Sequence, residues 1–261
     1  MKFAPTQVTL AALITLSGSA FAQTAAPAAE PVDPVSYNIS AVSNYKYRGQ
    51  DQDQSKTTGF KPALQGGVDY ANPNGFYVGN WNSTVNFKDP KMNKANLEVD
   101  LYGGYKFPLG DVGMDVGALA YIYPGATAAN TTEIYGAASY GPVTAKYSST
   151  ISKGDFGAGY LASNSRGTGY FNLAFAQEIM PKVTLKASVG STMFTSAAKK
   201  TDGAVDYMDY SVGASYDLGE GMSFTGSYVG ANKLNSWKFP ITNSTASINK
   251  GTVIVMLTKA L

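Results

Sequence analysis

Through most of this chain run segments of about ten residues in which apolar and polar side chains alternate. They are separated, in turn, by short turns and longer polar loops. Alternation with a period of two sends successive side chains to opposite faces of a strand. Twelve such segments can be read: Ser36–Arg48, Phe60–Tyr70, Gly75–Phe87, Leu97–Phe107, Val112–Tyr123, Thr132–Tyr140, Val143–Ser152, Gly169–Ile179, Val183–Phe194, Val205–Leu218, Met222–Gly230 and Thr252–Leu261. The short connections are ANPN (71–74), PLGD (108–111), Gly141-Pro142, MPK (180–182) and GEG (219–221). Gly allows positive φ there, Pro fixes φ, and Asn or Asp makes local hydrogen bonds. The long connections are richer in Gln, Asp, Asn, Lys, Ser and Thr, from GQDQDQSKTTG (49–59) to the longest, 231–251. The stretch 153–168 reads either as a long loop or as an extension of its neighbouring strands. A strand crossing a bilayer needs roughly 9 to 11 residues. The pattern therefore predicts an all-β fold, an antiparallel transmembrane β-barrel of about 12 strands with short periplasmic turns and longer extracellular loops.

The N-terminus predicts export. Lys2 precedes a short apolar run, Val8–Leu16, and Ser19-Ala20-Phe21-Ala22 ends in a small-residue cleavage site. Residues 1–22 read as a signal peptide, and the apolar run is too short for a spanning helix of roughly 18 residues or more. Residues 23–35 are rich in Ala and Pro and read as an N-terminal extension. The barrel is expected over 36–261.

Composition excludes several function classes. The formal charge is +2, or +1 once Lys2 leaves with the signal peptide, and such near-neutrality argues against a nucleic-acid binder, which needs a basic patch or stripe. The chain has no Cys and no His. Disulfides, thiolate or imidazole metal sites, and triads built on a His base are ruled out. No cofactor and no metal site is expected. An outer-membrane phospholipase is the enzyme reading to weigh, but no nucleophile has a plausible base, so an enzyme is not expected. The mature part has no apolar run long enough for a spanning helix, and a membrane protein without one must be a closed barrel. The 28 Gly and 18 Tyr suit twisted strands and aromatic girdles.

Strand parity assigns faces. In the fourth segment Leu97, Val99, Leu101, Tyr105 and Phe107 oppose Glu98, Asp100, Tyr102 and Lys106. In the first, Tyr37, Ile39, Ala41, Tyr45 and Tyr47 oppose Asn38, Ser40, Asn44, Lys46 and Arg48. The ninth and tenth segments divide likewise, with Lys186 and Asp209 on the polar side. A Lys facing lipid at mid-bilayer costs about 2 to 4 kcal/mol, so the charged parity is expected inward. The last segment is ambiguous, because Val253, Val255 and Leu257 share a parity with Lys259. Small residues such as Ser40, Gly67, Thr84, Gly104, Ser148, Ser188, Gly213 and Ser227 are expected to leave room for water inside. A soluble sandwich or lipocalin-like can also alternates. Two features count against it: the polar parity carries small residues and charges, and aromatics gather at segment ends (Tyr45, Tyr47, Tyr70, Tyr77, Phe107, Tyr123, Tyr140, Phe194).

SNYKYRG (43–49), KPALQGGVDY (61–70) and GFYVGNW (75–81) resemble the TorF-type porin family, a group of uncharacterised Gram-negative outer-membrane proteins. EVDLYGGY (98–105), YIYPG (121–125), EIY (133–135), SYGP (139–142) and KYS (146–148) extend the resemblance over nearly the whole mature chain. It implies an outer-membrane location and a channel role, without a solute. This chain departs in Gln50-Asp51-Gln52-Asp53 after Arg-Gly, and in ending on Leu261 where the family usually has Phe.

The expected function is an outer-membrane, porin-like channel for passive diffusion of small hydrophilic solutes or ions. The alternative is a non-conducting structural or adhesion barrel. Candidate pore-lining residues are Lys46, Arg48, Lys61, Asp69, Glu98, Asp100, Lys106, Asp115, Glu133, Lys146, Glu178, Lys186, Asp209 and Asp217. Arg48 is expected to pair with Asp69 or Glu98. Asp51 and Asp53 read as a solvated loop tip, and Trp81 as a packing residue. Expected partners are outer-membrane lipid, the barrel-assembly machinery and small hydrophilic solutes, with no nucleic acid. Location is the outer membrane of a Gram-negative bacterium, after secretion through the inner membrane.

Overall fold

A computed structural model of the chain describes residues 34–89, 93–157, 164–238, 240 and 244–261. The signal-peptide reading lies outside them, as does the extension up to residue 33. Among the described residues fourteen strands follow in chain order: β1 (Val35–Val42), β2 (Lys46–Tyr47), β3 (Gln50–Asp51), β4 (Ala63–Ala71), β5 (Phe76–Asp89), β6 (Asn93–Leu109), β7 (Val112–Ile122), β8 (Thr131–Tyr140), β9 (Val143–Thr150), β10 (Gly169–Met180), β11 (Val183–Met193), β12 (Tyr207–Gly219), β13 (Met222–Ala231) and β14 (Thr252–Ala260). Twelve of them close an antiparallel barrel in sequence order, β14 returning to β1, while β2 and β3 form a ribbon of their own. Every wall segment expected from the alternation is present, with bounds shifted by a few residues, except that the first, read over Ser36–Arg48, leaves the wall after Val42.

Closure runs to the last residue. Asn38 pairs with Ala260 and Val42 with Met256 across the seam. Tyr37 and Leu261 exchange both backbone hydrogen bonds, at 3.1 and 2.9 Å. Both ends of the barrel sequence therefore lie at the end with the short turns. The other end carries the loops, including a short helix, α1 (Ser196–Asp202), capped by the Thr195 side chain. The alternation gives no sign of α1. β5 and β6 both run on beyond the bounds read from the sequence and pair as far as Asp89 with Asn93, so the longer connection expected between them shrinks to residues 90–92.

The pleat sorts the faces as period two requires. Ile39, Leu64, Val78, Leu101, Ile134, Val189, Val212 and Val255 face outward and are exposed. Tyr37, Tyr70, Phe76, Tyr105, Tyr140, Tyr216 and Phe224 ring the outside near the short turns, an aromatic girdle. The ambiguous last strand is resolved. Val253, Val255 and Leu257 point out, and Lys259 of the same parity reaches the Glu220 carbonyl at the short-turn end. A long Lys placed there keeps its charge at the membrane edge.

Several assignments need correction. Tyr45, Tyr47, Tyr123 and Phe194 are buried, not girdle residues, and Tyr77 faces the lumen. Tyr45 and Tyr47 leave the lipid parity because the chain leaves the wall after Val42. Thr84 points outward, with Asn80 and Asn82 on the same face of β5. These amides satisfy each other (Asn82 Nδ2 to Asn80 Oδ1, 2.6 Å) and the Asp100 carbonyl (3.0 Å), which makes that face tolerable.

Candidate functional site: the lumen and its inserted hairpin

Ribbon β2–β3 is a two-residue hairpin folded into the loop end of the barrel. Arg48 and Gly49 form its turn, both at positive φ (45° and 76°), as a type I′ turn requires. A Cβ on Gly49 would lie 2.5 Å from the Gly230 carbonyl oxygen and 2.8 Å from the Ala231 Cβ, so only glycine fits the tip. The ribbon rests on the 232–251 loop, since the Asp51 N–H and the Lys46 ammonium both donate to the Ile248 carbonyl, at 3.0 and 2.9 Å.

From this tip Arg48 spans the lumen to β8. Its Nη2 donates to both Glu133 oxygens at 2.8 Å, and its guanidinium lies 4.0 Å from the centre of the Tyr170 ring. The expected partners Asp69 and Glu98 are not the ones used. Tyr47 and Tyr121 share a hydroxyl hydrogen bond of 2.5 Å, and the Tyr45 hydroxyl donates to Glu98 Oε1 at 3.3 Å. Trp81 packs edge-on against Tyr45 at 5.7 Å, the packing role expected of it. Val42, Val85, Phe87, Tyr123, Ile254 and Met256 complete an apolar core around these rings, inside the barrel.

The acidic loop is therefore not a solvated tip over its first half. Asp51 is 4% exposed and bridges Lys61 (3.0 Å) and Lys46 (3.5 Å), and it accepts from Asn44 at 2.7 Å. Burial pushes the Lys46 ammonium down to about 8, against the pull of Asp51. Further along, the backbone of 52–54 pairs with Asn86 of β5 at 2.9 and 3.0 Å. The sequence signal was there: YKY and QDQ alternate on either side of Arg-Gly, a tight turn between two short strands.

Toward the short-turn end the lumen opens. Tyr102, Tyr77 and Tyr135 stand directly opposite Gly79, Gly104 and Gly117 on neighbouring strands. A Cβ on any of the three glycines would meet the facing ring or hydroxyl within about 2.6 Å. The rings thus lie against the wall rather than across the lumen. Their hydroxyls bind wall acids: Tyr102 to Asp69 at 2.5 Å, Tyr77 to Asp115 at 2.6 Å, with Tyr135 bonded to Tyr77. Lys146 sits 3.8 Å over the Tyr135 ring and Lys106 5.0 Å over Tyr77. In β10–β12 the Tyr170 hydroxyl donates to Asp209 at 3.1 Å.

Of the candidate lining residues, Lys46, Arg48, Lys61, Glu98, Asp100, Glu133, Lys146, Lys186 and Asp209 are buried inside, and Asp69 and Asp115 are half-buried. Lys106, Glu178 and Asp217 share the inward parity but are exposed at the short-turn rim. There Glu178 accepts from the Lys182 N–H (3.1 Å) and Asp217 from the Gly219 N–H (2.8 Å), tying turns rather than lining a passage. Sequence reasoning missed Asp51 and Asp155. Asp155 is buried beside Thr150, whose hydroxyl donates to it at 2.6 Å, and burial pushes its carboxyl up to about 6 against the opposing Arg48 charge.

Inside the rim, the described residues thus set the cations Lys46, Arg48, Lys61, Lys146 and Lys186 against the acids Asp51, Asp69, Glu98, Asp100, Asp115, Glu133, Asp155 and Asp209. Acids outnumber bases there. One oxygen each of Asp69, Glu98, Asp100 and Asp209 is buried without a hydrogen-bond donor among the described residues.

Comparison with known proteins agrees with this architecture. The structure is similar to the solved KdgM porin in complex with disordered oligogalacturonate (TM-score 0.51, 7% identity, covering 86% of this chain and 97% of that one). It is similar to the NanC porin as well (TM-score 0.53, 10% identity, covering 86% and 98%). At such identities the likeness concerns the fold. No curated protein matches the sequence. A family model described as "Bacterial protein of unknown function (Gcw_chp)" matches residues 25–261.

Proposed function

The chain belongs to the Gcw_chp family of bacterial proteins of unknown function, and for this member we propose a narrow outer-membrane channel for passive diffusion of small hydrophilic solutes or ions. We read the family as the TorF-type porins on the strength of the SNYKYRG, KPALQGGVDY and GFYVGNW motifs. The observation that carries the reading is a closed twelve-stranded barrel, apolar outside and lined with ionisable side chains within. Eight strands give an interior just filled by side chains, and sixteen to eighteen leave a wide channel, so twelve stands between. Glycine opposite each of the tyrosines Tyr77, Tyr102 and Tyr135 widens the short-turn half. A protein of this kind enters the membrane through the barrel-assembly machinery after export, with the short turns periplasmic and the loops outside. Its role is transport rather than catalysis.

The surplus of acids favours weak cation selectivity. It also argues against a polyanion such as the oligogalacturonate of the KdgM complex. A second reading, a non-conducting structural barrel, is favoured by the hairpin that fills the loop-end half. Planar-bilayer recording decides between them. The refolded barrel should give small, nearly ohmic steps whose reversal potential in a salt gradient lies slightly toward cations. A correctly folded, heat-modifiable barrel that stays silent, and stays silent after residues 44–53 are replaced by a Gly/Ser linker, supports the structural reading and ends the channel one.

A further inference from the structure

The acid surplus has a location. Asp51 and Glu133 are held by lysine or arginine, and Asp69, Asp115, Asp155 and Asp209 each accept from a hydroxyl. On Asp100, by contrast, the buried Oδ1 has no hydrogen-bond donor among the described residues, and its neighbour Glu98 has the hydroxyls of Tyr45 and Tyr123 but a second oxygen, Oε2, without one. Both are deeply buried, at 7% and 1% exposure. They are two apart on β6 and so share one face. Asp100 feels the charges of Glu98 and Glu133, both of its own sign. Glu133 is taken by Arg48, and Lys46 and Lys61 by Asp51. Glu98 Oε2 and Asp100 Oδ1 are therefore left as two buried oxygens without a donor among the described residues. Burying such a charge uncompensated is unfavourable by several kcal/mol per ion, so something positive must answer it.

We propose that Glu98 and Asp100, with the Tyr45 hydroxyl beside them, form a luminal site for a divalent cation of the magnesium or calcium kind. All donors are hard oxygens, the set that such ions take. Among the described residues no three acid side chains come together as a full cage, so the ion keeps part of its water, as magnesium does when one or two carboxylates hold it. The ion enters from the short-turn end, where the lumen side chains become progressively exposed. The site stands on the luminal charges alone and does not depend on conduction.

Terbium(III) serves as the probe, because Tyr45, Trp81 and Tyr121, the strand partner of Asp100, surround the site and can sensitise its emission. On the refolded mature barrel, excitation of the aromatics should raise terbium emission several-fold. Excess magnesium or calcium should reverse the gain, and Asp100→Asn and Glu98→Gln should each lose most of it. Unchanged emission in both variants would place the probe on surface acids and overturn the proposal. So would a folded wild-type barrel that gives no emission, the result expected if the pair simply shares protons. Should Asp100→Asn fail to fold, the wild-type melting temperature decides: it rises with magnesium over chelator if the site exists and stays constant if it does not. A barrel that binds terbium but stays silent, and stays silent once residues 44–53 are replaced, ends the channel reading and leaves the site. One that conducts without binding does the reverse.

Discussion

Replacing Glu133 by Gln should unseat the hairpin. The Arg48–Glu133 pair is almost wholly withdrawn from solvent, with Nη2 2.8 Å from both carboxylate oxygens. Removing one partner of a buried ion pair costs about 3 to 5 kcal/mol, because the other charge stays buried alone. Gln keeps one acceptor, which places the loss near the lower figure. The barrel has no need to unfold to relieve it, since Arg48 can reach water if β2–β3 swings out of the lumen. A loss of about 3 kcal/mol shifts that equilibrium about a hundredfold toward the withdrawn state. The chain has no native Cys, so a single Gln52→Cys substitution reports the motion cleanly. Gln52 is 8% exposed, and a thiol at its position should react slowly with a charged maleimide even though it lies in a loop. A Thr58→Cys variant, in the exposed half of the same loop, sets the fast limit. When Glu133→Gln is added to Gln52→Cys, the thiol should label about a hundredfold faster, up to that limit, and single-channel steps should grow. Slow labelling in a folded barrel carrying both substitutions would show that the ion pair does not hold the hairpin.

Three other perturbations probe different parts of the argument. Leu101→Lys puts a charge on the lipid face and should lower barrel stability by about 2 to 4 kcal/mol in urea titrations, while Glu98→Gln, facing inward, should cost far less; equal losses would refute the face assignment. Gly104→Ala forces a Cβ to within 2.5 Å of the Tyr77 hydroxyl and against the Val116 carbonyl, an overpacking of about 1 to 3 kcal/mol, whereas Gly136→Ala meets nothing within 4 Å and should be nearly neutral in the same titrations. Asp155 titrates near 6, above the ordinary carboxyl value of about 3.9. Its neutral form is the one that the fold favours, so its contribution to loop stability is complete below about pH 4 and is lost as pH rises through about 6. Hydrogen-exchange protection of the 150–156 amides should fall across that window in the parent and stay flat in Asp155→Asn; a flat parent profile would contradict the assignment.

The wall was legible because its signal is local. Period-two alternation within a dozen residues places Leu97, Val99 and Leu101 opposite Glu98 and Asp100, and no distant residue can change that parity without slipping the register. The hairpin was not legible for the opposite reason. Tyr45-Lys46-Tyr47-Arg48 continues the alternation of β1 without a break, so it reads as more wall. What draws it inside is Glu133, 85 residues away, together with Tyr121, Tyr170 and Ile248. The same distance effect misplaced the girdle. An aromatic at a segment end meets the membrane interface if the chain stays in the wall, as at Tyr140, and fills the interior if the chain turns inward, as at Tyr47. Aspartates in a Gln-rich loop look solvated until two lysines are found on one of them.

The interior has two halves built on opposite rules. At the loop end large side chains fill space: rings from the hairpin meet rings from the wall, and the charges are paired as they are inside a soluble core. At the short-turn end large side chains clear space, because Tyr77 and Tyr102 each lie over a glycine and hand their hydroxyls to wall acids. A uniformly filled barrel would use the first rule throughout, and a uniformly open one the second. Glu98 and Asp100 sit on the boundary, one bonded to the hairpin through Tyr45 and the other followed at Tyr102 by the first of the wall-lying rings. Any solute or ion that enters from the short-turn end meets this acid pair before it meets the hairpin. On the proposed channel reading the acid pair and the hairpin are therefore met consecutively, and altering either should change passage without disturbing the wall that carries both.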